Sequence, residues 1–148
     1  MSDNTQAGLH AARPRILVDG REDGALVAGM QRLEIVETTE GLHRCEVSFA
    51  NWGPRDGRVD FLYLDRSRLD FGKPLVVRLD DGILFEGRIS GLEASFPEGK
   101  APEIRVLAED RFQDLRMTRR TRTFSRMSDA DVIRRIADDH RLRADVRL

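Results

Sequence analysis

Leu75-Val76-Val77-Arg78-Leu79-Asp80-Asp81-Gly82-Ile83-Leu84-Phe85-Glu86-Gly87-Arg88-Ile89 is the stretch that decides the fold. Two β-rich runs flank Asp80-Asp81-Gly82, and an Asp-Gly step supplies the positive φ angles that a tight hairpin turn needs. Downstream, Leu92 to Phe96 continue the second arm, Pro97-Glu98-Gly99-Lys100 forms a turn, and Glu103 to Ala108 alternate as a further strand. Upstream lies the cleanest alternation in the chain. Cys45, Val47 and Phe49 fall on one face and Arg44, Glu46 and Ser48 on the other, the mark of a half-buried strand. Gln31 to Thr38 and Arg15 to Val18 read as strands too, the latter running into a turn at Asp19-Gly20. Asn51-Trp52-Gly53-Pro54-Arg55-Asp56-Gly57 is rich in turn residues and is expected to be a loop, as is Asp65 to Asp70. Strands without intervening helices predict a mainly β fold with some α: an antiparallel β-barrel or sandwich.

The pattern changes after Ala108. Glu109 to Arg116 is predicted to form up to two helical turns. Ser128-Asp129-Ala130-Asp131 then resembles a capping box with Asp reaching back. Val132, Ile133, Ile136, Ala137 and His140 follow as one stripe of an amphipathic helix. The chain therefore divides into a flexible arm (1–13), a β domain (14–108), a basic connector (109–127) and a helical end (128–148).

Composition narrows the function classes. With 40% hydrophobic residues among 148, the chain has enough apolar material for a core and is not wholly disordered. A formal net charge of −1 argues against a generic polyanion binder. No run of apolar residues is long enough to span a membrane, and the N-terminus lacks the apolar stretch of a secretory signal. The single cysteine, Cys45, excludes an intramolecular disulfide and a Cys-rich zinc site. Cys45 shares its strand face with Val47 and Phe49, which favours a small buried hydrophobe over a reactive thiol. His10, His43 and His140 stand in no nucleophile or metal motif, Asp80-Asp81 is explained by its turn, and Asp138-Asp139 lies late on a helix. No phosphate loop is present. Catalytic, cofactor-binding and metal-ligating residues are accordingly not expected.

One local anomaly stands out. Arg111 to Arg126 holds six arginines against Asp114 alone, a local charge of +5. Such a run pairs with acids of a neighbouring subunit, lies in solvent, or binds phosphates. Subunit pairing is the favoured reading, because only Phe112 and Phe124 are at hand for base stacking.

The ordered segments carry a resemblance. Cys45-Glu46-Val47-Ser48-Phe49 with Asn51, Phe71-Gly72, Leu84 to Ile89, Asp110-Arg111-Phe112-Gln113-Asp114-Leu115-Arg116, Arg119-Arg120-Thr121-Arg122-Thr123-Phe124 and Ser128 to Ala137 occur in one order and spacing. This set resembles the N-terminal part of the phage late control protein D family, which includes the hub part of VgrG-type spike proteins of contractile injection systems. The resemblance implies a structural baseplate hub component that joins tail tube to spike. It implies a homotrimer, with tail tube protein, spike protein and other baseplate proteins as partners. No cofactor and no catalytic residue come with it. It also implies synthesis in the bacterial cytoplasm without a signal peptide and assembly into a tail or injection particle. Relatives continue past the Ser128 helix into a second barrel, so 128–148 is expected to open a truncated second region. Candidate subunit-interface residues are Asp80, Asp81 and Gly82 of the hairpin tip, the loop 51–58, and Arg116, Arg119, Arg120, Arg122 and Arg126 of the connector. The competing reading is a nucleic-acid-binding β-domain acting through Arg111 to Arg126.

Overall fold

The computed structural model describes residues 13–39, 41–117 and 119–147. The arm predicted over 1–13 lies outside the described residues except for Arg13. In chain order the elements are β1 (Arg15–Val18), β2 (Arg21–Glu22), α1 (Gly24–Gly29), β3 (Met30–Val36), β4 (Arg44–Ala50), β5 (Trp52–Arg55), β6 (Arg58–Phe61), β7 (Pro74–Leu79), β8 (Gly82–Ser95), β9 (Glu103–Glu109), α2 (Gln113–Arg116) and α3 (Asp129–Asp139). Seven strands form one sheet in the order β2-β1-β7-β8-β9-β4-β3, and β5 and β6 pair separately. Every pairing is antiparallel, so the mainly β architecture matches the sequence reading.

Topology alone requires this sheet to coil. Its two outer strands, β2 and β3, are joined through α1, which has six residues. A helix of that length advances about 9 Å, whereas seven strands laid flat would hold their edges about 29 Å apart. The sheet therefore wraps into an open barrel with α1 across the gap. Asp23 starts that helix, its Oδ1 accepting from the amides of Ala25 (3.0 Å) and Leu26 (3.2 Å). Leu26 then points inward and is fully buried. The inward faces of β1, β4, β7, β8 and β9 supply one continuous core around Ile16, Val47, Phe49, Leu75, Val77 and Val106, with Leu26, Tyr63 and Leu69 covering the open side.

β8 makes the corner of the barrel. Its first half pairs with β7 and its second with β9, and the two pairings overlap only at Arg88, which faces both Pro74 and Glu109. A register shift between Ile89 and Gly91 accompanies the change of partner, as a bend into a curved sheet requires. Gly87 sits at this corner without room for a side chain. A Cβ there would collide with the main-chain oxygen of Glu109 and stand 2.7 Å from its carbonyl carbon and 2.6 Å from Cζ of Phe85. Absence of a side chain at 87 is thus what lets β9 close on β8.

Three expectations are corrected. The run 51–58 is not a loop but a hairpin, β5 and β6 around Asp56-Gly57, whose φ values are 51° and 78°. Pro54 disguised it, and is tolerated because a two-stranded ribbon leaves its amide position unpaired. At the β7–β8 turn the left-handed residue is Asp80 (φ 50°) rather than Gly82, which opens β8 opposite Leu79. The predicted two helical turns over 109–116 are one, because Glu109 completes β9 and only Gln113 to Arg116 turn helically. α1 was not foreseen. Six residues are too few for a periodic apolar stripe.

Gly87→Ala is expected to destabilise the protein by about 2–3 kcal/mol, since backbone rather than a mobile side chain must move. The thermal midpoint should then fall by about 5–10 °C; an unchanged midpoint would refute the corner constraint. Cys45 is fully buried, and burial pushes its thiol pKa up to about 12. A thiol reagent should therefore label Cys45 only under denaturing conditions, with negligible reaction in native buffer at neutral pH.

Candidate functional site

The end of β9 builds the platform for everything C-terminal to it. The amide of Asp110 donates to the carbonyl of His43 (2.9 Å), and its Oδ2 accepts from the amide of His43 (2.8 Å). Its Oδ1 accepts from the amide of Phe112 (2.8 Å) and so starts the turn into α2. Arg111 then reaches across to the far end of α3, donating to the carbonyls of His140 (3.0 Å) and Arg141 (3.2 Å). Helix carbonyls at a C-terminus lack internal partners and carry partial negative charge, so a guanidinium there satisfies both deficits.

α3 itself starts as the sequence indicates. Ser128 Oγ accepts from the amide of Asp131 (3.3 Å) and its hydroxyl donates to the Asp131 carboxylate (2.7 Å). Donation from the Ser128 hydroxyl holds the Asp131 carboxyl below the usual carboxylate range. At the other end the Arg122 guanidinium pairs with Asp139, with Arg135 Nε 3.6 Å from the same carboxylate. Hydrogen bonding from Arg122 lowers the Asp139 pKa. α3 has no buried residue, and Ile133 on its stripe is exposed.

Between connector and α3 lies a cavity of about 490 Å³. Arg116, Arg119, Arg120 and Arg122 line it on the connector side, and Leu115, Phe124, Ile136 and His140 complete it. Four of the candidate arginines thus converge on one space. Arg126 does not line it; it adopts a left-handed φ of 58° just before the α3 cap. Arg122 is held by Asp139, and Arg111 is spent on the helix carbonyls. Arg116, Arg119 and Arg120 have no carboxylate within salt-bridge distance among the described residues. Of the six arginines, Arg111 and Arg122 therefore fix the C-terminal segment, Arg116, Arg119 and Arg120 line the cavity unpaired among the described residues, and Arg126 stands outside it.

Asp80, Asp81 and Gly82 form an exposed tip, tied back by Arg15 Nη2 donating to the Asp80 carbonyl at 3.1 Å. They do not join the arginine cavity. The β5–β6 hairpin, missed as such in the sequence, carries an aromatic cluster: Trp52 and Phe61 meet edge-on at 5.0 Å and Phe61 and Phe96 at 5.6 Å between centroids. Trp52 and Phe96 are exposed. Tertiary pairing of residues far apart in sequence created this cluster, so no local pattern announced it. Its base is set by Asn51, fully buried, whose Oδ1 accepts from the amides of Leu62 (3.1 Å) and Tyr63 (2.9 Å). Arg55 clamps the hairpin to the next loop through Asp65, which also accepts from Ser67.

Among the described residues no group of His, Cys, Asp and Glu is placed to hold a metal ion, and no helix is long and apolar enough to cross a membrane. The geometry thus defines a small open β-barrel with surface-borne features: a basic cavity, an acidic tip and an aromatic ribbon. The chain has the same fold as the tail protein from Neisseria meningitidis MC58, with a TM-score of 0.60 at 16% identity over 86% of this chain and 33% of that one. It therefore spans about a third of the length of that protein. No family model matches the sequence and no curated protein matches it.

Hydrogen bonds from the Ser67 amide, Arg55 and the Ser67 hydroxyl draw the Asp65 pKa down to about 2. A carboxylate depressed in the folded state stabilises above its unfolded value of about 3.9 and loses that contribution as pH falls toward 2. Asp65→Asn should accordingly lower the thermal midpoint by a few degrees at pH 6. At pH 2, the folded-state midpoint, the difference from the natural sequence should shrink to a small remainder; a gap that persists unchanged would refute the clamp.

Proposed function

We propose that this chain is a structural baseplate hub component of a contractile phage tail or tail-derived injection system, lying between tail tube and spike. The observation that carries the reading is the fold shared with a tail protein over 86% of the chain. The ordered likeness of Asp110 to Arg116 and Ser128 to Ala137 to the late control protein D and VgrG hub family supports the finer assignment. In this reading function resides in surfaces rather than in a reacting group. Tail tube, spike and other baseplate proteins are the partners, with a homotrimer as the assembled form. β3, an edge strand of seven residues, offers main-chain groups for a neighbour's strand, and unpaired arginines set rotational register against acids.

Expression of an epitope-tagged chain in a host that makes sheath-bearing particles tests this directly. The tag should sediment with the particles and label one end of each in electron micrographs. A tag found only in the soluble fraction, with intact particles present, would end the hub reading.

A further inference from the structure

The cavity between the connector and α3 joins two chemistries that a solvated face does not need. Arg116, Arg119 and Arg120 bring guanidinium groups to its wall without a carboxylate partner among the described residues. Leu115, Phe124 and Ile136 supply an apolar lining. Its volume of about 490 Å³ falls within the range of ligand-sized clefts. Like charges gathered on one wall repel, so an occupant bearing negative charge is favoured. A planar guanidinium engages a carboxylate in a two-point fork, which orients the occupant as well as attracting it.

The apolar lining decides which anion. A phosphate backbone gains nothing from Leu115 and Ile136, and a single aromatic, Phe124, gives no platform for successive bases. An acidic polypeptide segment with an apolar side chain among its carboxylates uses both parts. The position favours such a segment too. Arg111, beside the end of β9, holds the end of α3, and Arg122 ties the connector to α3, so the cavity wall is preorganised instead of being assembled on binding.

We propose that this cavity is a receptor for an acidic segment of a partner protein, with carboxylates on Arg116, Arg119 and Arg120 and an apolar side chain seated against Leu115, Phe124 and Ile136. The inference rests on the hub reading only in taking the partner to be another protein of the same particle. The test uses the full chain and a fluorescein-labelled peptide in which leucine is flanked by aspartates and glutamates, followed by anisotropy. Saturable binding at micromolar peptide is expected. Replacing the leucine by serine should weaken it about fivefold, and Arg119→Glu with Arg120→Glu about tenfold or more, with the thermal midpoint of that variant unchanged. The serine exchange is made in the peptide, so it holds whatever the variant's folding. Indifference to the leucine would overturn the proposal, as would tighter binding of oligothymidylate at the same salt. Peptide that fails to bind, beside a tagged chain that labels particles, overturns the receptor and keeps the hub. Peptide captured by a chain absent from particles supports the receptor and removes the hub.

Discussion

Glu109, Asp110 and Arg111 are consecutive, and the rest of the molecule is arranged around what each of them touches. Glu109 places its carbonyl against the bare α-carbon of Gly87 and so fixes the corner at which β8 leaves β7 for β9. Asp110 ties the start of β4 to the end of β9 through the amide and carbonyl of His43. Arg111 holds the last carbonyls of α3. The corner closes the sheet, and the arginine attaches a helix that has no buried side chain of its own. Hydrophobic burial makes the barrel stable, but polar bonds from two adjacent residues, Asp110 and Arg111, position the C-terminal segment on it.

That division explains why exposed ion pairs matter here more for geometry than for stability. Pairs such as Arg122–Asp139 and Arg55–Asp65 are solvated, and water screens such pairs so that they add little to stability. The core of Ile16, Phe49, Leu75 and Val106 outweighs them, since each fully buried aliphatic or aromatic side chain is worth about 1.5–3 kcal/mol. What the pairs supply is direction. Arg55 sets the angle of the aromatic ribbon, and Arg122 sets the wall of the cavity.

Where one face of a strand is buried, the sequence was legible. Cys45, Val47 and Phe49, and likewise Ile104, Val106 and Ala108, alternate because every second side chain enters the core. The Ser128 cap and its helix were legible because their bonds link residues three apart. The β5–β6 hairpin was hidden because its strands bury little and contain Pro54. α1 was hidden because its role, spanning two sheet edges, exists only once the sheet has coiled. The arginine cavity was half legible. A run of six arginines announces positive charge, but only the structure separates Arg111 and Arg122, which hold the fold, from Arg116, Arg119 and Arg120, which line the cavity with no carboxylate partner among the described residues, and from Arg126, which lies outside it.

A near-neutral total can therefore coexist with a directed surface. The net charge of −1 sums a positive connector with acids elsewhere, and the sum does not describe either. Charges locked in internal pairs cannot steer a partner, because their field is cancelled within a few ångströms and screened beyond about 8–10 Å. Those left unpaired on one wall can, because no carboxylate among the described residues pairs with them. For a protein whose work is to meet neighbours in a fixed register, the relevant quantity is the residual charge at each surface after internal pairing. At the cavity wall, among the described residues, that residue is Arg116, Arg119 and Arg120 beside an apolar lining, and at the β7–β8 tip it is Asp80 and Asp81.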